Sequence, residues 1–263
     1  MSDLNICVII PAAGKSSRFG GLRSKLDEDL GGRPVLKRTV ELFVKREEVR
    51  SIIVAGPHAE YDEFLAMHGD KLGLMGVTVC EGGVTHRYET VANALAHVPD
   101  DATHVAVHDA ARPCASNALL DRVFEASRKH GAVIPGVSVS DTLKRVSEEV
   151  QKDRDIDPLD AILGDAGKTN TDVRTVVETV PREHLVGVQT PQVFEVGLLR
   201  RAYAQDDLAS TDDASLVERL GEPVVVVEGE ATNLKITHPG DLHHARLIMK
   251  SGGAGQKPAH KRF

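Results

Sequence analysis

Four cations lie close enough together near the start of the sequence to bind one polyanion. They fall within eleven residues and are Lys15, Arg18, Arg23 and Lys25. Lysine and arginine side chains are common ligands of phosphate oxygens, and a nucleoside triphosphate carries enough negative charge to engage several of them. The spacing therefore predicts a phosphate site, and it leaves open the alternative of a structural turn with solvated charges.

The loop that precedes these cations has almost no side chains. Ala12, Ala13 and Gly14 allow backbone N–H groups to approach an anion or the edge of a base closely. Neither of two common nucleotide-binding motifs is present. Ser16 stands where G-x-G-x-x-G needs a second glycine, and Gly20 is followed by Gly-Leu rather than Lys-Ser or Lys-Thr. The segment is predicted to bind phosphate through a loop of another kind.

Composition limits the classes of protein that fit. The chain has 263 residues, of which 41% are hydrophobic, enough for one large α/β domain. Its formal net charge of -7 argues against a broad nucleic-acid-binding surface, so a polyanion site must be local. Cys7, Cys80 and Cys114 are far apart and form no C-x-x-C pair, which is typical of the reducing cytoplasm. Without a long apolar run, we expect a cytoplasmic protein that binds neither nucleic acid nor membrane.

Strand and helix patterns alternate along residues 5–139, and this order determines where the candidate site lies. Short apolar runs predict strands at 5–10, 51–55, 76–80, 104–107 and 132–139. Amphipathic stretches between them predict helices that begin at Pro34 or span 58–68, 86–97 and 116–129. Such an order predicts an α/β fold with a doubly wound, mostly parallel, Rossmann-like sheet. Ligands of these sheets bind at the carboxyl ends of strands, where the cation-rich loop lies.

The alternation stops between residues 138 and 182. The outer pieces of this segment, SVSDTLKRVSEE and DVRTVVETVPR, alternate like paired strands, whereas the interval around 147–170 is polar and acidic. We predict a projecting antiparallel β-arm with a solvated loop at its tip. An arm with one apolar face is not stable alone in water, so we expect it to pack on a second subunit and form a homodimer.

The remainder of the chain completes one domain. We predict helices near 195–204, from Thr211 to Gly221 and from Pro239, with strands at 223–227 and 233–237. Residues 1–250 then form a single α/β domain that carries the arm, residues 138–182, as an insertion, and residues 251–263 form a disordered tail.

Eight short segments together indicate a family. In chain order they are PAAGKSSRF from residue 11, SK at 24, GG at 82, HDAARP at 108, SDTLKR at 140, TPQVF at 190, TDDAS at 211 and NLKIT at 233. In this order they resemble the 2-C-methyl-D-erythritol 4-phosphate cytidylyltransferases, over about residues 5–248 with an interruption at 147–172. The resemblance implies an enzyme of non-mevalonate isoprenoid biosynthesis. It would join CTP to 2-C-methyl-D-erythritol 4-phosphate, release pyrophosphate, use Mg²⁺ and act as a homodimer.

The resemblance also implies a role for each of four cations. Arg18 and Lys25 would stabilise the transition state and the departing pyrophosphate. Lys235 would bind the α-phosphate or the attacking phosphate. Arg182 would bind the substrate phosphate across the dimer, since a guanidinium can do so with two hydrogen bonds.

Further residues are assigned to ligand contacts by the same resemblance. The cytosine and ribose would be surrounded by Ala12, Ala13, Gly14, Gly82 and Thr90. The polyol phosphate would be met by Asp109, Arg112, Thr142, Thr190 and Thr211. Two roles stay open for Asp109, which are binding the polyol hydroxyls and binding magnesium.

The sequence departs from the family pattern near the site, and other functions stay open. Ser16 replaces a loop glycine, Ser24-Lys25-Leu26 replaces P-K-Q, and Arg87 comes one residue late after the two glycines. A ribitol 5-phosphate or other polyol phosphate cytidylyltransferase shares most of the motifs. A non-catalytic nucleotide-binding subunit would keep the fold, but it would have no need of the cations around the α-phosphate.

Overall fold

The structure is a computed structural model that describes residues 4–14, 19–20, 24–153 and 171–254. These residues form two compact units. One unit contains the chain up to Val137 and from Val188 onwards, and the other contains Ser138–Gly187. Arg18 therefore lies outside the described residues, as do the other cations Lys15 and Arg23.

The strands and helices follow the predicted alternation closely. The strands are, in chain order, β1 Ile6–Pro11, β2 Val49–Gly56, β3 Val77–Glu81, β4 His104–Val107, β5 Ala132–Ser138, β6 Leu143–Val146, β7 Gln151–Asp153, β8 Thr171–Val173, β9 Val176–Val180, β10 Val186–Val188, β11 Gln192–Glu195 and β12 Val225–Glu228. The helices are α1 Val35–Glu41, α2 Tyr61–Phe64, α3 Asp70–Gly73, α4 Arg87–Leu95, α5 Asn117–Ser127, α6 Val196–Tyr203, α7 Ala214–Arg219 and α8 Pro239–Ala254, with a π-helical turn Leu65–Gly69 between α2 and α3.

The central sheet has the order β10-β5-β11-β4-β1-β2-β3, with β12 beside β5. Parallel pairs join β1 to β2 and β4, β2 to β3, and β12 to β5, whereas β11 runs antiparallel to β4 and β5. The mostly parallel α/β sheet is confirmed. Because Ile9 of β1 lies opposite Val107 of β4, the loops that follow these two strands emerge side by side.

The sequence of β1 explains its central place. Its residues from Ile6 to Ile10 are fully buried, as expected of a strand covered on both faces. Alternate side chains enter opposite layers: Val8 packs in one apolar cluster and Ile9 in the other. Helices on both sides of the sheet complete these two layers, so the loop after β1 is anchored by a strand that is fixed from both faces.

The prediction of a strand at 233–237 is wrong, because the structure has a loop there. Leu234 and Ile236 alternate with polar residues as in a strand, but the segment makes isolated loop contacts instead of a sheet ladder. The Ile236 N–H donates to the Ala111 carbonyl at 2.8 Å, and the Asn233 side-chain amide donates to the Thr190 carbonyl at 2.9 Å. These contacts hold the segment against the loop after β4 and the residues just before β11.

The unit Ser138–Gly187 contains the antiparallel pairing predicted for the arm. Strand β6 pairs with β9, with Leu143 opposite Val180, and β7 pairs with β8. Val176 and Val177 of β9 are 53% and 63% exposed, so apolar side chains of this unit are left uncovered in the single chain.

The last helix, α8, runs to Ala254. The first four residues of the predicted tail are therefore helical, and residues 255–263 lie outside the described residues. Within the described part of the chain, no helix combines the length and the apolar character needed to cross a bilayer.

Candidate active site

A cavity of about 490 Å³ opens at the carboxyl ends of β1, β3 and β4. Three loops supply most of its wall, and four further residues complete it. The lining comprises residues 11–14, 83–87 and 109–111 with Lys25, Leu26, Thr90 and Lys235. The backbone-rich loop after β1 thus shares one opening with two lysines and an aspartate.

The turn after β3 packs tightly against the start of α4. The Gly83 N–H donates to the Thr90 hydroxyl oxygen at 3.1 Å, and the Gly82 N–H donates to the Gly56 carbonyl at 2.8 Å. Helix α4 starts at its observed position because the Glu89 carboxylate accepts the N–H groups of two preceding residues. These backbone hydrogen bonds hold the pKa of Glu89 below its ordinary value.

A side chain at residue 83 would not fit this turn. A Cβ atom there would lie 2.8 Å from the Thr90 backbone nitrogen and closer still to the Glu89 side chain. We expect Gly83→Ala to lower the free energy of unfolding by about 2 kcal/mol, the usual cost of overpacking. Urea unfolding measures this loss. Gly73→Ala is the matched control, since a Cβ there meets no heavy atom within 4 Å; equal stability losses at both positions would contradict the prediction.

Asp109 is the electrostatic centre of the cavity wall. Its Oδ2 atom lies 3.0 Å from Lys235 Nζ and 3.2 Å from Arg112 Nε, and its Oδ1 atom lies 3.6 Å from Arg87 Nε. Burial alone would raise the pKa of this carboxyl, but the three cations outweigh burial and hold the pKa well below its ordinary value. Asp109 is therefore an ionised carboxylate at neutral pH.

The backbone of Asp109 is held in place by the buried side chains of Thr190 and His108. The Asp109 N–H donates to the Thr190 hydroxyl oxygen at 3.0 Å, and that oxygen lies 3.2 Å from His108 Nδ1. His108 Nε2 lies 2.9 Å from the Arg112 carbonyl. A carbonyl only accepts, so Nε2 carries the proton and Nδ1 accepts from the Thr190 hydroxyl. Burial lowers the pKa of His108 to about 4, which keeps the ring neutral.

The neutral, buried His108 predicts a loss of stability in mild acid. The pKa is about 4 in the folded state and about 6.5 in the unfolded state. The unfolded chain thus binds the proton first, and stability falls as pH drops through this window. We expect the pKa difference of His108 to lower the free energy of unfolding by about 2 kcal/mol between pH 7.5 and pH 5.

Urea unfolding at the two pH values measures this dependence, with His108→Gln for comparison. Glutamine retains an N–H donor and cannot be protonated in this range, so the variant is expected to lose less stability on acidification. An identical pH dependence in both proteins would show that His108 is not the responsible group.

Two residues of the site were missed by the sequence analysis as functional candidates, Arg87 and Asp213. Arg87 Nη2 donates to Asp213 Oδ2 at 2.7 Å, and the Tyr203 hydroxyl donates to Asp213 Oδ1 at 2.5 Å. Burial, then the neighbouring Asp213 charge, raises the pKa of Tyr203 far above its ordinary value. Asp213 lies in the TDDAS motif and Arg87 follows the paired glycines, so each could have been noted as a candidate. Nothing in the sequence indicates that the two residues contact each other.

The structure brings many of the predicted site residues together. The cavity is lined by Ala12, Ala13, Gly14, Lys25, Thr90, Asp109 and Lys235. Gly82 packs closely against Ala13: a Cβ atom at residue 82 would lie 2.9 Å from the Ala13 Cβ. Thr211 lines a second cavity of about 530 Å³, which shares Arg87 with the first.

Other predicted residues do not line the first cavity, the one at the carboxyl ends of β1, β3 and β4. Arg112 and Thr190 act on Asp109 through the hydrogen bonds described above. Thr142 and Arg182 belong to the unit Ser138–Gly187, in which the Arg182 guanidinium donates to the Ser140 carbonyl. Substrate contacts by these four residues stay predictions.

The described residues of the cavity wall provide few ligands for a metal ion. Asp109 is the carboxylate in the lining, and both of its oxygens face cations. Across the described ranges, no group of three or more His, Cys, Asp or Glu residues could hold a metal ion. Mg²⁺ typically binds one or two carboxylates together with phosphate oxygens, and among the described lining residues Asp109 is the carboxylate that could serve as such a ligand.

Comparison with known proteins gives one consistent result. The family model of 2-C-methyl-D-erythritol 4-phosphate cytidylyltransferase matches residues 6–162 and 159–251. Proteins of that description from Frankia casuarinae and Rhodococcus jostii are each 39% identical to this chain; the matches cover 93% and 94% of the chain and 81% and 96% of the relatives. The crystal structure of the Thermus thermophilus protein of that description is 34% identical with a TM-score of 0.69, over 92% of this chain and 98% of that one.

Proposed function

This chain belongs to the 2-C-methyl-D-erythritol 4-phosphate cytidylyltransferase family, and we propose that it binds CTP in its cavity and transfers the cytidylyl group to 2-C-methyl-D-erythritol 4-phosphate. The observation that carries the proposal is the composition of the cavity wall. Lys25, Lys235 and the side-chain-poor loop 11–14 face one opening at the carboxyl ends of β1 and β4. The product would be a CDP-alcohol for isoprenoid biosynthesis.

The reaction needs charge stabilisation more than proton transfer. A phosphate oxygen of the polyol phosphate attacks the α-phosphorus of CTP in line, and the bond from that phosphorus to the pyrophosphate oxygen breaks. The attacking oxygen is already anionic at neutral pH, so no base has to remove a proton. The protein accelerates such a step by positioning the two phosphates and by neutralising the charge that develops.

The described cations suit these tasks. Lys25 would stabilise the departing pyrophosphate, and Lys235 would bind the α-phosphate or the attacking phosphate. Arg18 is proposed to assist Lys25, although it lies outside the described residues. The N–H groups of loop 12–14 and the Thr90 hydroxyl would recognise the cytosine and ribose, because small residues let the base approach the backbone.

Asp109 is proposed to bind the polyol hydroxyls. Its oxygens accept hydrogen bonds, and its surrounding cations keep it ionised. A magnesium ion at this carboxylate would add two positive charges beside the three cations that already surround it, whereas a hydroxyl can donate to it without adding charge. The first of its two predicted roles therefore fits the geometry better.

We propose that Mg²⁺ enters with the triphosphate. When bound there, it would neutralise charge on the leaving pyrophosphate. The cations of the cavity then act on the remaining phosphate oxygens, with Lys25 and Lys235 at the same opening.

The exposed valines of β9 support the proposed homodimer. Val176 and Val177 are more than half exposed, and a second copy of this chain would cover them. We expect V176E/V177E to sediment as a monomer, because a carboxylate is not buried in an apolar interface without a partner. Leu74→Glu is the control: Leu74 is 90% exposed and lies outside the arm, so this variant should assemble normally. A dimeric V176E/V177E protein would contradict the assembly through β9.

Arg182 is proposed to act on the site of the second subunit. If so, mixing Arg182→Ala with Lys235→Ala protomers restores activity, since a mixed dimer contains one site with both residues. We expect recovery of roughly a quarter of the wild-type activity after subunit exchange, from the statistics of random pairing. No recovery on mixing would place Arg182 and Lys235 in the same subunit's site.

We further propose that the protein works in the cytoplasm. Cys7, Cys80 and Cys114 are buried free thiols, and burial raises the pKa of Cys80 and Cys114 to about 11. Such thiols are unreactive and compatible with a reducing compartment.

Pyrophosphate release tests the proposed function. Purified protein is given CTP and Mg²⁺ with either 2-C-methyl-D-erythritol 4-phosphate or ribitol 5-phosphate. We expect release with the first substrate only. Release with ribitol 5-phosphate alone would change the substrate, and binding of CTP without release from either would indicate a non-catalytic nucleotide-binding protein.

A further inference from the structure

A second carboxylate, Asp213, is completely buried beside the cavity. Both of its oxygens have partners: Oδ2 accepts from Arg87 at 2.7 Å and Oδ1 accepts from the Tyr203 hydroxyl at 2.5 Å. A buried carboxylate is costly unless it is paired and hydrogen-bonded. Asp213 and Tyr203 therefore hold the guanidinium of Arg87 in one place.

Arg87 stands at the boundary of both cavities, between two carboxylates. It lines the first cavity and the second cavity. Its Nε atom lies 3.6 Å from Asp109 Oδ1, and its Nη2 atom binds Asp213. Burial would lower the pKa of Arg87, but Asp213 and Asp109 raise it above its ordinary value. It is thus a permanent cation next to Asp109.

The three cations around Asp109 differ in how firmly they are held. Arg112 also donates to the Asn233 carbonyl at 2.7 Å, and its side chain is 12% exposed. The Arg87 side chain is 28% exposed and is held by Asp213. The Lys235 side chain is 39% exposed and ends in a flexible ammonium group. Lys235 is therefore the cation of the three that is best placed to move.

We propose that Arg87 is a positioning residue that remains the counter-ion of Asp109 when Lys235 leaves that carboxylate for the phosphates of bound CTP. This inference rests on the proposed function. Without Arg87, release of Lys235 would leave the buried Asp109 with Arg112 alone. Asp109 would then retain Lys235 more tightly, and less of the enzyme would have Lys235 available for phosphate.

The test needs a variant that keeps the buried charges balanced. Arg87→Gln alone leaves Asp213 uncompensated in the interior, which is strongly destabilising. The double variant Arg87→Gln/Asp213→Asn replaces the ion pair by two neutral side chains that can still form hydrogen bonds. We expect it to fold, with kcat/KM for CTP lowered about tenfold or more because Lys235 stays on Asp109. Circular dichroism and thermal unfolding verify the fold.

A stability control separates positioning from a general loss of structure. Leu120 is completely buried and lines neither cavity. Leu120→Ala should lower the melting temperature while kcat/KM stays near the wild-type value below that temperature. A folded double variant with wild-type kcat/KM would overturn the proposal.

A double-mutant cycle asks whether Arg87 acts through Lys235. The change at residues 87 and 213 is introduced into the wild type and into Lys235→Ala, and kcat/KM for CTP is measured for all four proteins. We expect the tenfold loss to shrink to less than about threefold in the Lys235→Ala background, since no lysine is left to release. Equal losses in both backgrounds would overturn the proposal and indicate an independent role for Arg87.

The outcome is distinguishable from failure of the proposed function. If the wild type releases no pyrophosphate from CTP and 2-C-methyl-D-erythritol 4-phosphate, the proposed function fails and the inference fails with it. If the wild type is active and the cycle is additive, the proposed function stands and the inference alone is wrong.

Discussion

Lys25→Ala is expected to lower the turnover number on the order of a hundredfold, the usual cost of losing one charged donor at a developing anion. Lys25 lines the cavity from a turn in which the Asp27 N–H donates to the Ser24 carbonyl at 3.0 Å. The neighbouring Leu26 is buried and anchors this turn in the core. Since the ammonium would act on the leaving pyrophosphate, its loss should lower kcat more than it raises KM for CTP.

Steady-state pyrophosphate release with both substrates varied measures this effect. Lys71→Ala is the matched control, because Lys71 is an exposed lysine that lines neither cavity. Lys25→Arg should recover part of the lost turnover by restoring the charge. Unchanged turnover in Lys25→Ala would remove this lysine from the mechanism.

Asp109→Asn is expected to separate the two substrates. The carboxylate lies among three cations, and its removal makes the cavity wall more positive. Binding of CTP should therefore be unchanged or tighter. The polyol hydroxyls lose a charged acceptor, and a hydrogen bond to a charged group is worth about 1.5–3 kcal/mol. We expect KM for 2-C-methyl-D-erythritol 4-phosphate to rise on the order of tenfold to a hundredfold.

Titration calorimetry with CTP and steady-state kinetics with the polyol phosphate give the two affinities. Asp121→Asn serves as the control, because Asp121 pairs with Arg46 at 2.5 Å on an exposed surface and lines neither cavity. Weaker CTP binding with an unchanged KM for the polyol phosphate would place Asp109 on the nucleotide side, as a magnesium ligand would be.

The part of the fold that the sequence predicts well is the part that depends on local pattern. Strand β4 is predicted at 104–107 and observed at His104–Val107, and β1 differs by one residue at each end. Apart from His104 at the start of β4, both are continuous apolar runs that have no face to expose, so burial in a covered sheet is the expected outcome. Helix α5 is predicted at 116–129 and spans Asn117–Ser127, with Ser116 as its N-cap.

The errors occur where a local pattern has two solutions. The alternation of Leu234 and Ile236 is equally compatible with a strand and with a loop that buries one side chain. Ile236 is fully buried, but its N–H bonds to the loop after β4 instead of a neighbouring strand. Strand β11 is absent from the sequence-based prediction; Val193 and Phe194 are completely buried between β4 and β5, where the chain runs antiparallel.

Local patterns in the sequence are enough to predict the family, the α/β order and several residues that line the cavity near their own motifs, such as Gly14, Lys25 and Thr90. These depend on side-chain size, charge and spacing within a few residues. Which charges meet depends on contacts between residues far apart in the chain. Arg87 and Asp213 are 126 positions apart, and the Asp109 N–H finds its acceptor on Thr190, 81 positions away. Such contacts arise from the order in which strands lie in the sheet, and their energy depends on burial that no local pattern contains.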